Sequence, residues 1–338
     1  MDVTWPPEFA SAGWVADLTP KFQPAEQKKF LRGPITANTY KGKIYGVPCY
    51  LGAGLLYYRK DLLTKYGFKP PTYWQEMLSQ GAKIVQAESD PDLHIYSAQF
   101  KQYEGLVCNM LEFIWSNGGQ VLDRKSRQVC LDEAFSIRAI AFVRDKIIGK
   151  AAPQGVINYE EPESLDIFVQ GKAVFHRNWP YAWAVANSSK ESNIAGKVGV
   201  CPLPSFHGHS SASTLAGWQF AINRYSKHFR ESWRFIEFMT SHETQRLLAL
   251  EAGLAPTRCS VYTDPLVLAR MPHLKAFLPA FQKARPRPLS PIYPMISQEL
   301  QRFFSRSIID KESDISKMAK ETSKKIERLL RLEDMIGK

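Results

Sequence analysis

The run YGVPCYLGAGLLYY, residues 45–58, is apolar, rich in β-forming residues and punctuated by glycine, and a helix-forming stretch follows it without a spacer. That stretch, RKDLLTKYG, is short, and Gly67 is placed to end it in a left-handed conformation. A strand that feeds a helix directly restricts the chain to layered folds. Similar signals alternate along the whole sequence and point to α/β architecture. With 338 residues, 44% of them apolar, the chain can bury one large core, and two are expected.

Further helix signals follow. In PPTYWQEMLSQGAKI, Thr72 and Gln75 have the spacing of a capping box. Asp132 can cap DEAFSIRAIAFVRDKIIG, with Phe135, Ala139, Phe142 and Ile147 near one face and Gly149 past its end. Ser226 can cap a helix that turns Trp233, Ile236 and Phe238 inward; Ser241 opens another, closed by Gly253. In the last segment Ile315, Met318, Ile326, Leu329 and Leu330 form one helical stripe. Proline and glycine cluster at 202–217 and 284–294, the best candidates for crossing segments or long loops.

The formal charge of +11 is dispersed: residues 301–338 carry ten basic and seven acidic side chains, the pattern of a solvated helix face. No aromatic–basic motif or zinc-finger spacing accompanies it, so no nucleic-acid partner is expected. The five cysteines, Cys49, Cys108, Cys130, Cys201 and Cys259, are odd in number and include no CxxC pair, which argues for buried thiols over a disulfide framework. No apolar run has the length of a membrane span. The opening MDVTWPPEFA has neither the basic nor the apolar region of a signal peptide.

Signals for catalysis are weak. SHETQ (241–245) begins like a zinc-protease helix, but Gln245 stands where the second histidine is needed. His207 and His209 flank Gly208 without a nearby carboxylate or cysteine and read as loop histidines. There is no phosphate loop, dinucleotide fingerprint or nucleophile elbow. YEEPES (159–164) supplies carboxylates, yet a glycosidase draws its two acids from opposed segments, so an acid-rich loop and helix N-terminus is the plainer reading. No catalytic residue, metal or cofactor is expected.

The aromatic stretches remain. FHRNWPYAW (175–183) carries four bulky rings broken by Asn178 and Pro180. A sugar ring has an apolar C–H face and a hydroxyl rim; indole and phenol rings stack on the face while carboxylates, Arg and amides take the rim. Trp179 and Tyr181 fall on one side of an extended segment, and the proline blocks further strand pairing. In TLAGW (214–218), Gly217 admits close backbone approach beside Trp218. Composition alone leaves core packing of these tryptophans equally open.

Taken in order, DVTWPPEFASAGWVADL, GKIYGVPCYLGAGLLYYRKDLLTKYG, KQYEGLVCNMLEFIWSNGG, FHRNWPYAW, GKVGVCPLP, TLAGW and PTR resemble the solute-binding proteins of carbohydrate ABC transporters, most closely the trehalose/maltose-binding type. The resemblance implies two α/β lobes of the periplasmic-binding-protein (type II) kind, joined by a hinge, with the sugar between them. Lobe one would comprise residues 1–50 and 212–258, and lobe two 51–211 and 259–338. It implies a non-catalytic receptor that binds a disaccharide, trehalose- or maltose-like, and delivers it to permease subunits outside the cytoplasm, as a monomer. Asp2 then falls where the family has a carboxylate that grips hydroxyls. Trp179 and Tyr181 match its aromatic platform, Gly217 and Trp218 its glycine–tryptophan contact, and Arg258 a basic residue at the cleft edge. Tyr50, Tyr103 and Glu104 are further candidates.

Two departures stand out. Gly52 occupies a position where trehalose/maltose-type relatives carry aspartate. The family chain also has a signal peptide and two strand–helix units upstream of the DVTW strand, so lobe one is expected to lack its first units here. A partner-binding remnant and a glycoside-acting enzyme are the rival readings.

Overall fold

In the computed structural model, which describes residues 1–123 and 126–336, the 45–58 run becomes two strands separated by Gly54. In chain order the strands are β1 (Thr39–Tyr40), β2 (Lys43–Ile44), β3 (Val47–Ala53), β4 (Leu55–Arg59), β5 (His94–Ser97), β6 (Ala173–Asn178), β7 (Val198–Cys201), β8 (Ser213–Phe220) and β9 (Ala284–Arg285). The chain divides into two compact units, one built from Met1–Ala53, Ser213–Tyr293 and the residues from Glu333, the other from Gly54–Ala212 and Pro294–Leu332. Two of the boundaries fall inside the proline- and glycine-rich stretches 202–217 and 284–294. The division corrects the expected one: residues 51–53 and 259–293 belong with the first unit. Leu51, Gly52 and Ala53 pair with Gly217, Ala216 and Leu215, β9 pairs β8, and the Cys259 N–H donates to the Lys29 carbonyl at 2.9 Å.

The first unit contains a β1–β2 hairpin and a sheet in the order β3-β8-β9, with β3 antiparallel to β8 and β9 parallel to it. Its core gathers Leu18, Phe22, Phe30, Ile44, Val47, Ile222 and Ile236. Gln245, the residue that fails as a zinc ligand, is a buried tie: its amide N–H donates to the Cys49 carbonyl at 2.7 Å and its oxygen accepts the Thr257 N–H at 2.9 Å. Ser241 caps the helix His242–Ala252 through the Thr244 N–H, and Gly253 ends it at φ +66°. The helix Phe229–Met239 departs from expectation. Only Ile236 is buried, Trp233 is half-buried, and Phe235 and Phe238 are 55% and 65% exposed. A helix this amphipathic would be expected to cover its rings, so this face is unusual.

The second unit is a four-stranded mixed sheet, β5-β6-β4-β7, with β4 antiparallel to both neighbours and β5 parallel to β6. The helix Glu104–Ser116 is buried over Gly105–Ser116. The Trp74 ring stacks on Phe113 with centroids 4.2 Å apart, and its indole N–H donates to Ser116 Oγ at 3.0 Å. Such a pair contributes about 0.5–1.5 kcal/mol beyond its buried area. Two expected caps are realised differently. The Thr72 N–H is taken by Glu76 rather than Gln75, at 2.8 Å. Asp132 caps nothing and accepts from Ser323 Oγ at 3.1 Å. Of the expected face, Ala139 and Ile147 are buried, with Ser136 and Ile140 beside them, whereas Phe135 is exposed with the Arg138 guanidinium over its ring at 4.6 Å. His207 stacks on Tyr73 at 4.0 Å and His209 packs edge-on to Phe135. In the last helix, Ile315–Ile336, the buried stripe is Ile315, Ala319, Ile326 and Leu330. Among the described residues no helix is long and apolar enough to cross a membrane.

Candidate functional site

β6 delivers the first group of candidates. All six of its residues are buried, including His176, Arg177 and Asn178, and each polar one is satisfied. His176 Nδ1 lies 3.1 Å from the Ser97 carbonyl, and its Nε2 lies 2.9 Å from Asn178 Nδ2; this network assigns the proton to Nδ1. The strand stops at Asn178. Trp179 and Tyr181 therefore do not stand on an extended segment, as their spacing suggested. Pro180 turns the chain into the short helix Ala182–Ala186, with Tyr181 already at φ −60°, ψ −27°. That turn leaves Trp179 half-buried and Tyr181 45% exposed, while Phe175 packs in the core.

Glu161 ties this group together. The Trp179 indole N–H donates to Glu161 Oε1 at 2.8 Å, and the Tyr103 hydroxyl donates to Glu161 Oε2, also at 2.8 Å. Burial pushes the Tyr103 phenol well above its ordinary range, and the Glu161 charge adds to the shift, so the hydroxyl stays a donor. Burial and the same carboxylate also raise Tyr181. Glu161 belongs to the YEEPES stretch, where Glu160 and Glu163 do form a capping box. Nothing in the spacing distinguishes Glu161 from its neighbours; only the approach of β6 selects it. Glu104 begins its helix beside Tyr103 and accepts from Ser297 Oγ.

The first unit assembles a second group. Tyr50 on β3 pairs with Trp218 on β8, and an isolated bridge joins Asp2 to the other side of Trp218. Trp218 is 46% exposed and meets Trp5 edge-on at 6.3 Å; Trp5, itself 39% exposed, stacks on Phe9. Trp5 was missed in the sequence, although it stands in the DVTW phrase beside Asp2. Asp2 Oδ1 accepts from the Thr4 N–H at 3.0 Å and the Thr4 hydroxyl at 2.8 Å, and the Arg287 guanidinium lies 3.5 Å away. Burial raises the Tyr50 phenol, with Cys49 and Asp2 adding to the shift. Gly52 lies opposite Ala216, and a Cβ there would stand 3.1 Å from the Ala216 methyl, so this strand pair is fitted to glycine.

Arg258 is placed elsewhere in the first unit. Its guanidinium bonds the Thr240 carbonyl and Glu26 Oε1, the latter at 2.6 Å, and lies over the Phe30 ring at 4.6 Å. It lines a cavity of about 410 Å³ with Glu26, Phe30, Trp233 and His242, and none of the other candidates lines it. Its neighbours give it a structural occupation.

Each platform thus offers a partly exposed ring, a hydrogen-bonded carboxylate and a phenol. That set can stack on an apolar face and bond a hydroxyl rim. The bacterial extracellular solute-binding protein family model matches residues 1–246. A probable ABC transporter-binding protein of Deinococcus radiodurans is 36% identical over 318 residues, covering 93% of this chain and 75% of its own length. Several other curated relatives, at 22–26% identity, are spanned over only 53–60% of their length. Among solved structures, maltose-bound MalE3 of T. maritima is 40% identical with a TM-score of 0.87, covering 97% of this chain and 83% of that one. The GacH receptor of Streptomyces glaucescens, solved unliganded and with acarbose, is 26% identical with a TM-score of 0.81, covering 98% and 82%. The chain therefore has the α/β fold of these two-lobed binding proteins and belongs to the bacterial extracellular solute-binding proteins of ABC transporters, which are not enzymes.

Proposed function

We propose that the chain binds a neutral carbohydrate, a maltose- or trehalose-like disaccharide, and presents it to the permease subunits of an ABC importer on the extracytoplasmic side, acting as a monomer. The observation that carries this reading is the Trp179 platform: a half-buried indole whose N–H is fixed on Glu161 beside the exposed Tyr181 ring. The Trp5–Trp218 pair beside Asp2 supports it, as does a 40% identical neighbour that holds maltose. In this proposal the first unit offers a sugar the Trp218 ring with Asp2 and Tyr50, and the second unit offers the Trp179 and Tyr181 rings with Tyr103. Gly217 allows Trp218 its position, Arg258 is engaged by Glu26 and Thr240, and Glu104 accepts from Ser297.

Titration calorimetry with maltose and trehalose tests the reading. Trp179→Ala and Trp218→Ala should each weaken binding by about 30-fold or more, the loss typical of a buried aromatic anchor. Unchanged affinity in both variants, or no glycan bound by the wild-type chain, would overturn it.

A further inference from the structure

Arg177 and Glu112 form a bidentate ion pair inside the second unit, Nε to Oε2 at 2.8 Å and Nη2 to Oε1 at 2.7 Å, with side chains 1% and 2% exposed. The third nitrogen, Nη1, reaches Gln99 Oε1 at 3.2 Å. These bonds along its edges fix the guanidinium plane and present a flat face. That face lies against the Trp179 ring, 3.9 Å from its centroid. Trp179 is the first residue past the end of β6, and the turn there lays its ring over the Arg177 guanidinium.

The rest of Trp179 is held as firmly. Its indole N–H is on Glu161, its carbonyl accepts the Tyr57 hydroxyl at 2.8 Å, and its main-chain N–H donates to Asn178 Oδ1 at 2.8 Å. One ring face and one ring edge are thus occupied by protein. Gly54 shows how much room the pair takes: a Cβ there would run into the Glu112 carboxylate and the Arg177 guanidinium. A buried ion pair is a poor device for stability alone, since apolar residues of similar volume often serve as well. A planar, forked cation behind an aromatic ring does something an apolar residue cannot: it sets the ring plane through both stacking and charge.

We infer that Glu112 and Arg177 are positioning residues for the binding face, a rigid rear support that fixes the Trp179 plane before any ligand arrives. The inference rests on Trp179 being a sugar platform, and it extends that reading to two residues that touch no ligand themselves. A ring ordered in advance spares the ligand the cost of ordering it, so the support acts on affinity.

The test uses the full chain and the double variant Arg177→Met/Glu112→Leu, which keeps the volume and removes both charges. The first readout needs no ligand: the ¹⁵N-labelled indole N–H signal of Trp179, identified as the one absent from Trp179→Phe. In the double variant it should lose about tenfold or more of its exchange protection while the melting temperature holds. Maltose affinity should fall roughly tenfold, the scale of an anchor side chain that must now be ordered on binding. Arg177→Lys, which keeps the charge but not the planar fork, should not restore either readout. If the double variant does not fold, Glu112→Gln replaces it and the same indole signal is read. An unchanged signal in a folded variant, or a loosened ring with unchanged maltose affinity, overturns the inference. Failure of the wild-type chain to bind maltose would count against the sugar reading, and the indole signal would still decide the positioning role.

Discussion

The Tyr50 carbonyl occupies the space that a Cβ on Gly217 would need, where β3 pairs with β8. Gly217 also has φ +122°, outside the range in which an L side chain is comfortable. Both facts follow from the close approach that leaves Trp218 exposed beside Tyr50. Gly217→Ala should lower unfolding free energy by about 1–3 kcal/mol, the scale of a strained backbone position. A urea denaturation midpoint equal to wild type would show that the pairing tolerates a side chain.

His176 links stability to pH. Burial pushes its imidazole from the ordinary 6.5 down to about 3, against an opposing pull from the Ser97 carbonyl. The folded state keeps it neutral while the unfolded chain takes up a proton below about pH 6.5. Its contribution is therefore complete above pH 6.5 and is lost as pH falls toward 3, at about 1.4 kcal/mol per pH unit. Burial lowers His273 to about 4, which acts in the same direction. Denaturant titrations at intervals from pH 7 to 4 should show stability falling with pH, and His176→Asn should lessen the slope by about 1.4 kcal/mol per pH unit, leaving the His273 part. A wild-type chain equally stable at pH 7 and pH 4.5 would contradict the assignment.

The thiols should differ in reactivity. Cys108 and Cys130 are buried, burial pushes Cys201 up to about 12 and Cys49 to about 11, and Cys259, though partial burial raises its thiol as well, is the exposed one. Since the thiolate is the reactive form, a disulfide reagent at pH 8 should find one fast thiol in the native chain and all five after denaturation. Cys259→Ser should abolish the fast phase; its persistence would mean that another cysteine is accessible.

The rings of Phe235 and Phe238 present apolar surface from one helix of the first unit. Replacing both with serine should reduce binding of an apolar dye and any concentration-dependent self-association seen by sedimentation. Stability should fall by only about 0.5–1.5 kcal/mol, the scale of the one edge-on contact that Phe235 makes with Phe220 at 5.7 Å. Unaltered dye binding would place the exposed apolar surface elsewhere.

Much of this could be read from the order of residues. The strand run at 45–58, the glycine stops at Gly67 and Gly253 and the Ser241 cap depend on local propensity and the next few hydrogen bonds, and sequence carries both. Two of the unit boundaries fell in the stretches that composition marked. Other expectations failed for a common reason. Thr72 and Asp132 were placed to cap, but the carboxylate next to Gln75, Glu76, and a distant hydroxyl, Ser323, offered better partners. Phe135 and Phe238 had the period of buried residues, yet period says only that a face exists and not whether anything covers it.

For the binding residues, the sequence by itself determined which rings and carboxylates were available, because indoles, phenols and acids are properties of single residues. Only the tertiary structure decided their roles. Glu161 became the link between Tyr103 and Trp179, Trp5 joined Trp218, and Arg258 was drawn away to Glu26 and Thr240. Hydrogen bonds and ring contacts act over a few ångströms, and folding chooses which of many distant residues come that close.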